Sequence, residues 1–175
     1  MTTTKTFLAG AATADISPTT SQFLAGYPHV ERWSTGLYDP LTSSALALDD
    51  GQTCLLFIAN DILYVPKHIV ARARQRITEA TGLPAKQIMI TATHTHSGPV
   101  VHNRGPGSYD KVVPDADPAY LADLENGIVQ AGVTAFWSRR PAEIGMATAH
   151  VEGIGTNRRV LEEVLSITRQ YGESS

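Results

Sequence analysis

The fold is decided by residues 53–93, which read TCLLFIANDILYVPKHIVARARQRITEATGLPAKQIMITAT. Residues 53–59 are a continuous apolar run between turn-forming residues, which is typical of a buried strand. Residues 67–81 repeat apolar side chains at helical spacing, and Gly82 provides a stop. Residues 87–93, rich in Ile and Thr, predict another strand. A strand, a helix and a strand in this order indicate a βαβ unit with a parallel strand pair.

The flanking segments extend this unit into a mixed sheet. Residues 42–48 alternate loosely in hydrophobicity and lead through Asp49-Asp50-Gly51 into residues 53–59, which predicts a β-hairpin whose second strand is buried on both faces. The other predicted elements are strands over residues 5–14 and 142–151 and helices over residues 120–137 and 160–169. We therefore expect an α/β fold, a mixed β-sheet with flanking helices, in a single domain spanning residues 1–175.

Composition and charge exclude several classes of protein. The chain has 175 residues and a net charge of -3, and its Lys and Arg form no long basic stripe, so nucleic acid is not an expected partner. The sequence contains no run long enough for a transmembrane helix. It also lacks a signal-peptide pattern, which favours a cytoplasmic location for the chain as given, and a secreted one if a leader was removed. Cys54 is the only cysteine, which excludes an internal disulfide and a cysteine-rich zinc site and leaves Cys54 as a core residue.

The most informative chemical signal is TATHTHSGP at residues 91–99, where the predicted strand runs into a Gly/Pro loop. Ligands of open α/β sheets bind outside the carboxyl ends of the strands. Residues two apart on a strand point to the same face, so His94 and His96 are expected to converge as a pair suited to zinc. The alternative is a surface histidine pair that arises by chance. Two other folds with an HxH motif match poorly: the metallo-β-lactamase type has an aspartate where Gly98 stands, and the amidohydrolase barrel needs a much longer chain.

Motifs along most of the chain resemble those of one enzyme family. Residues 92–99 match its hallmark closely, and four weaker motifs agree with it in order: Leu24-Ala25-Gly26-Tyr27, Gly36-Leu37-Tyr38-Asp39-Pro40-Leu41, Ile58-Ala59-Asn60-Asp61, and Asn157-Arg158. Together they are similar to the neutral/alkaline non-lysosomal ceramidase family, from about Ala11 to Arg159. The resemblance implies a partial version of that family's N-terminal catalytic domain.

The resemblance implies a zinc-dependent amidohydrolase that cleaves the amide of ceramide or of a related lipid or small-molecule N-acyl compound. His94 would be a zinc ligand, and His96 would bind the substrate head group or the developing oxyanion. Arg158 would contact the polar part of the substrate. Asp61 would either orient a ligand or cap a turn, and Tyr27 would either line the entrance or pack in the core.

The resemblance leaves alternatives open, because the family builds its zinc site from two His, one Glu and one Tyr, with a catalytic Ser, and places all but the first His after Arg159. The zinc site is expected to be completed by further protein chain, or else the chain is a non-catalytic truncated domain or assembly module. The second alternative predicts a homo-oligomer that buries an exposed sheet edge or face. A third hypothesis is a metallohydrolase of the same fold on another small substrate, with the loops 19–40 and 102–118 setting specificity. Four histidines match no family ligand and are expected to be exposed or packed: His29, His68, His102 and His150. His102 lies in the loop after the motif and is also a candidate to replace a missing zinc ligand.

Overall fold

The computed structural model of the protein describes residues 6–103 and 110–154. Its α-helices and strands in these ranges are β1 (Leu8–Asp15), β2 (Thr42–Asp49), β3 (Cys54–Asn60), α1 (Lys67–Thr81), β4 (Ile88–Ala92), α2 (Pro118–Trp137) and β5 (Arg140–Pro141). The helix predicted over residues 67–81 is confirmed at both ends. Pro66 precedes its first residue, and Gly82 ends it in a left-handed conformation with φ of 76°.

The strands of the described residues form one mixed sheet in the order β4-β3-β2-β1-β5. The predicted hairpin is confirmed, since β2 and β3 pair antiparallel. In the turn between them, Asp50 accepts hydrogen bonds from the N–H groups of Gln52 and Thr53. The predicted βαβ unit is confirmed as well, because β3 and β4 pair in parallel on either side of α1 in the chain. The α/β class with a mixed sheet is therefore correct.

Both helices pack on the same face of the sheet. Ile69 and Ile77 of α1 and Leu124 of α2 are fully buried in one apolar cluster with Leu56 and Ile58 of β3. Burying a side chain of this size contributes about 1.5–3 kcal/mol to folding. This cluster holds β3 and the neighbouring β4 in place, and the candidate site lies at the ends of those two strands.

The two helices are also joined by charged groups. The Glu125 carboxylate of α2, with a side chain only 11% exposed, accepts hydrogen bonds from Arg72 Nε at 2.6 Å and Arg76 Nη1 at 3.1 Å, both on α1. Burial raises the pKa of Glu125, but the hydrogen bonds and charges of the two arginines outweigh it and leave this pKa below its usual value. Glu125 is therefore ionised at neutral pH and ties α2 to α1.

The opposite face of the sheet corrects one prediction. The expectation that β3 is buried on both faces is wrong, because Leu55 and Phe57 are 42% and 38% exposed. Leu46 of β2 and Met89 of β4 lie in register with Phe57 and are 41% and 52% exposed. Among the described residues the helices cover only one face, although the apolar composition of β3 is that of a strand covered on two. We call these four side chains the sheet patch.

The strand predicted over residues 142–151 is wrong. Strand β5, directly before this segment, has only Arg140 and Pro141 and pairs with the start of β1 at the edge of the sheet. Residues 142–154 have no helix or strand. Their spacing of apolar residues imitates a strand, but Ile144 and Met146 are 73% and 98% exposed, so the pattern is not stabilised by packing.

The chain divides into two compact units, residues 1–143 and 144–175. The first contains the sheet and both helices. In the described part of the second, His150 Nε2 lies 3.0 Å from Glu152 Oε1. The helix predicted over residues 160–169 lies outside the described residues. None of the helices in the described ranges is long and apolar enough to cross a membrane.

Candidate active site

The candidate site begins where β3 and β4 end. Asn60, the last residue of β3, is fully buried, and its side-chain amide donates to the Thr91 carbonyl at 2.8 Å. The Asn60 carbonyl accepts the N–H of Thr93 at 2.9 Å, and the Ile62 carbonyl accepts the N–H of His94 at 3.1 Å. These bonds continue the pairing past the strands and place the histidine motif at the carboxyl edge of the sheet, where α/β folds bind ligands.

His94 is held in a specific orientation. Its φ of 63° lies in the left-handed region, which is uncommon for residues other than glycine. Its ring Nδ1 lies 2.8 Å from the carbonyl oxygen of Leu63. A carbonyl oxygen only accepts, so Nδ1 carries a proton, and in the neutral imidazole the lone pair is on Nε2. Histidines that bind metals in proteins are oriented by such a bond, and the His94 ring therefore fits a zinc ligand.

His96 packs against His94 and against an early segment of the chain. The two histidine rings have centroids 5.1 Å apart and planes at 75°. The His96 ring also meets the Tyr27 ring edge to face at 5.5 Å. A Cβ on Gly26, which has φ of 106°, would lie 2.5 Å from His96 Cγ. The two histidines thus lie together as the sequence predicts, although both are in the loop after β4 and not on the strand itself.

Residues 22–34, which the sequence places in a long loop, form a small ladder beside the histidine motif. Phe23 pairs with Trp33 within the ladder, and Leu24 pairs with Pro99 directly after the motif. The Phe23 side chain is buried, and its ring meets that of Trp33 at 5.5 Å, so the ladder is held by apolar contacts. This 22–34 ladder carries the Gly-Tyr pair that contacts His96.

A cleft of about 380 Å³ opens beside the two histidines. Its walls also include His102 and Tyr64, whose rings lie 5.3 Å apart. The His102 Nδ1 is buried and has no hydrogen-bond partner among the described residues. The sequence predicts that His102 is exposed or packed and offers it as a surrogate ligand; in the structure it is half-buried, packs against Tyr64 and lies in the wall of the cleft.

Thr95 and Ser97, which alternate with the two histidines, face a different cavity of about 920 Å³. Asp61 also lines this larger cavity. Its Oδ2 accepts hydrogen bonds from the Thr42 N–H at 3.0 Å and from the Thr42 hydroxyl at 2.9 Å. Asp61 therefore fixes the start of β2, which is the structural role offered among the sequence alternatives. The imidazole groups suited to metal or acid–base chemistry are in the smaller cleft.

His29 joins the 22–34 ladder to the cleft wall. Its backbone N–H donates to Asp110 Oδ2 at 2.9 Å, and its Nδ1 lies 3.6 Å from Oδ1 of the same carboxylate. The hydrogen bond from His29 lowers the pKa of Asp110 below its usual value. Asp110 is thus a carboxylate at neutral pH, and it fastens the ladder to the segment that follows His102.

Arg158, predicted to contact the substrate, lies outside the described residues, and its role stays a prediction. His68 is exposed at the start of α1, away from the cleft lining. Within residues 6–103 and 110–154, no group of three or more His, Cys, Asp or Glu side chains is arranged to hold a metal ion. Tyr64 has no signal in the sequence, since a single tyrosine between apolar residues forms no periodic pattern.

Comparison with known proteins extends these findings. The chain is 26% identical over 141 residues to a Mycobacterium tuberculosis protein named neutral ceramidase, a match that covers 77% of this chain and 22% of that protein. Two similar solved structures are the crystal structure of neutral ceramidase from Pseudomonas aeruginosa and a structure of ceramidase complexed with C2. Each has a TM-score of 0.66 and 21% identity and covers 78% of this chain and 22% of the other.

These similarities show a shared fold, and this chain spans 22% of the length of the relatives it matches. The family profile described as neutral/alkaline non-lysosomal ceramidase, N-terminal, matches residues 7–162, which is most of the chain. The chain therefore belongs to the neutral/alkaline non-lysosomal ceramidase family.

Proposed function

We propose that this chain supplies one wall of a zinc-dependent active site that cleaves the amide of ceramide or of a related N-acyl compound. The observation that carries the proposal is the His94 ring, whose bond from Nδ1 to the Leu63 carbonyl leaves the lone pair on Nε2. Family membership supports the reaction class. Because the chain spans 22% of its named relatives, we assign to it the His94 wall and not the full set of catalytic groups.

The residues of this wall have distinct proposed roles. His94 Nε2 would hold the ion. Zinc supplies a Lewis acid for the amide carbonyl and lowers the pKa of a bound water. His96, whose ring lies 5.1 Å from that of His94, would donate a hydrogen bond to the oxygen that becomes negative as the amide is attacked. Arg158 is proposed to contact the polar end of the substrate.

The lining of the cleft supports a substrate with an apolar chain. Pro28, Leu63 and Val113 contribute apolar wall, and Tyr27 and Tyr64 add rings that combine an apolar body with a polar end. Each methylene group removed from water by such a wall gains about 0.8 kcal/mol. A lipid amide is therefore a better match than a small, fully polar amide.

The zinc site is tested by titrating zinc into the metal-stripped chain with ¹⁵N-labelled histidine rings. His94 should respond through Nε2 at a zinc concentration roughly tenfold or more below that needed for His68, because only His94 has an orienting carbonyl. His94→Ala should abolish the response of His96, whereas the matched control His68→Ala should leave it unchanged. Equal responses of His94 and His68 would show that the cleft has no preference for zinc.

The substrate class is tested by binding of a fluorescent N-acyl sphingosine and of a short N-acetyl amide to the zinc-treated chain, since the chain is not assigned the full set of catalytic groups. We expect the lipid amide to bind at least about tenfold more tightly, because two methylene groups removed from water at about 0.8 kcal/mol each already give that ratio. Tighter binding of the short amide would favour the alternative of a metallohydrolase acting on a different small substrate.

The sheet patch favours a second candidate, an assembly role as a homo-oligomer. Its apolar side chains lie side by side on neighbouring strands, and exposed patches of this kind mark interaction sites. Sedimentation velocity should then show a dimer that Phe57→Thr converts to monomer. A monomeric wild-type chain at all concentrations would contradict this role.

A further inference from the structure

Arg32 contacts the backbone of His96 and the aromatic ring next to it. Its Nη1 donates a hydrogen bond to the backbone carbonyl of His96 at 3.0 Å. Its guanidinium carbon lies over the Tyr27 ring, 4.4 Å from the ring centroid. Tyr27 in turn meets the His96 ring edge to face at 5.5 Å. One half-buried side chain from the 22–34 ladder thus holds both the backbone of His96 and the aromatic ring that flanks it.

We infer that Arg32 is a positioning residue that fixes the His96 ring in the cleft. The inference rests on the proposed function for its catalytic meaning, but the orientation of His96 can be measured without it. Arg32 does not line the cleft, whereas Tyr27 and His96 do. Its effect on a bound ligand is therefore exerted through those two residues.

Arginine is suited to this task for a physical reason. The planar guanidinium offers several N–H donors in one plane and stacks its face on an aromatic ring, so one group satisfies the His96 carbonyl and the Tyr27 ring together. A lysine ammonium is a compact charge with no flat face. It would reach either the carbonyl or the ring but would not hold both in the same geometry.

Gly26 completes the arrangement on another side of His96. The His96 ring lies so close to Gly26 that a Cβ there would be 2.5 Å from Cγ. With Gly26, Tyr27 and the Arg32 bond in place, the ring of His96 is confined next to His94. Reacting groups must be held to within a fraction of an ångström. In the completed site, a looser His96 is therefore expected to lower the reaction rate more than it weakens substrate binding.

The test compares Arg32→Met and Arg32→Lys with the control Arg74→Met. Arg74 Nε also donates to a backbone carbonyl, that of Ile88 at 2.9 Å, but it lies on α1 and does not line the cleft. In ¹³C- and ¹⁵N-edited NMR spectra, the ring signals of His96 and Tyr27 should move in Arg32→Met, move less in Arg32→Lys and stay in place in Arg74→Met. If Arg32→Met does not fold, the His96 and Tyr27 ring signals are compared between Arg32→Lys and Arg74→Met instead.

Unchanged ring signals of His96 and Tyr27 in the Arg32 variants would overturn the inference, and so would equal movement in Arg74→Met. In the zinc titration, Arg32→Met should leave the response of His94 at the wild-type zinc concentration, because Arg32 contacts His96 and Tyr27 and not His94. A loss of the His94 response in Arg32→Met would show a general disruption of the cleft and would overturn the positioning role. If zinc gives no response of His94 in the wild-type chain, the proposed function fails while the His96 and Tyr27 signals still decide the role of Arg32.

Discussion

Replacing Gly26 with alanine is expected to destabilise the protein by about 2–4 kcal/mol, and the same change at Gly82 by about 1 kcal/mol. Both glycines have positive φ, 106° and 76°. Alanine in such conformations carries a strain of about 1–2 kcal/mol, offset partly and equally by the stiffer unfolded chain. Only at Gly26 would the new Cβ meet another group, His96 Cγ at 2.5 Å, whereas nothing lies within 4 Å at Gly82. Relieving the overlap requires His96 to move, and such overpacking costs about 1–3 kcal/mol.

Urea unfolding followed by circular dichroism measures both losses, and the thermal midpoint should fall by about 2–4 °C per kcal/mol for a chain of this size. The difference between Gly26→Ala and Gly82→Ala contains the contact with His96 and the additional backbone strain of the larger φ at Gly26, 106° against 76°. The His96 ring signals should also move in Gly26→Ala only. Equal losses of stability in the two variants would refute the reasoning, since His96 would then not pack against Gly26.

Three further predictions concern charge, strain and packing. Glu125→Gln is expected to destabilise the protein by about 1–2 kcal/mol at neutral pH, because Arg72 and Arg76 lose their carboxylate partner. Solvation of the two exposed arginine side chains offsets part of this loss. The pKa of Glu125 is lowered in the folded protein, so its stabilisation is present at neutral pH and is lost as the pH falls through that lowered pKa. Urea unfolding of wild type and variant should therefore converge in strong acid, and a constant difference would contradict the ion pair. His94→Gly should be more stable than His94→Ala by about 1 kcal/mol, because glycine accepts the left-handed conformation without strain; a more stable alanine variant would disprove that backbone geometry. Leu124→Ala should lose about 3 kcal/mol in the same assay, as expected for a fully buried leucine, and a loss near zero would place it outside the core.

The scaffold could be predicted from the sequence wherever its signals are local. Helix α1 is correct at both ends because Pro66 and Gly82 bracket its apolar repeat. Helix α2 starts two residues before the predicted residue 120, at Pro118, because the Asp117 carboxylate accepts the N–H of Ala119 at 2.8 Å. An aspartate before a proline is a recognised helix start, so this signal was present in the sequence.

Burial could not be predicted in the same way, because it depends on distant parts of the chain. The run of apolar residues in β3 is the same whether one face or two are covered. Only the placement of both helices on one side shows that Leu55 and Phe57 remain exposed in the described structure. The strand predicted over residues 142–151 failed for a related reason, since a suitable pattern of residues does not form a strand without a partner and packing.

The candidate site was only partly predictable. His94 and His96 are visible because two histidines at this spacing follow a strand, and their rings do lie together. The role of Arg32 cannot be predicted from the sequence, because its two partners are an aromatic ring and a backbone carbonyl. Groups of these kinds occur throughout any chain. The sequence predicts a loop for the 22–34 ladder, because the ladder consists of isolated residue pairs that leave no periodic pattern.

The strained backbone positions in the described residues lie in the cleft lining and in the ladder next to it. Among these residues, His29 and His94 are the non-glycine positions with positive φ, 61° and 63°. Each conformation costs about 1–2 kcal/mol and is imposed by hydrogen bonds: from His29 to Asp110, and from His94 to the carbonyls of Ile62 and Leu63. Apolar packing offsets this cost, both in the cluster between helices and sheet and in a smaller cluster around Phe23 and Ala25 next to the cleft. A strained residue whose ring is oriented with a lone pair on Nε2 is what preorganisation for a ligand requires, so the geometry of His94 is a stronger argument for a binding site than the HxH spacing.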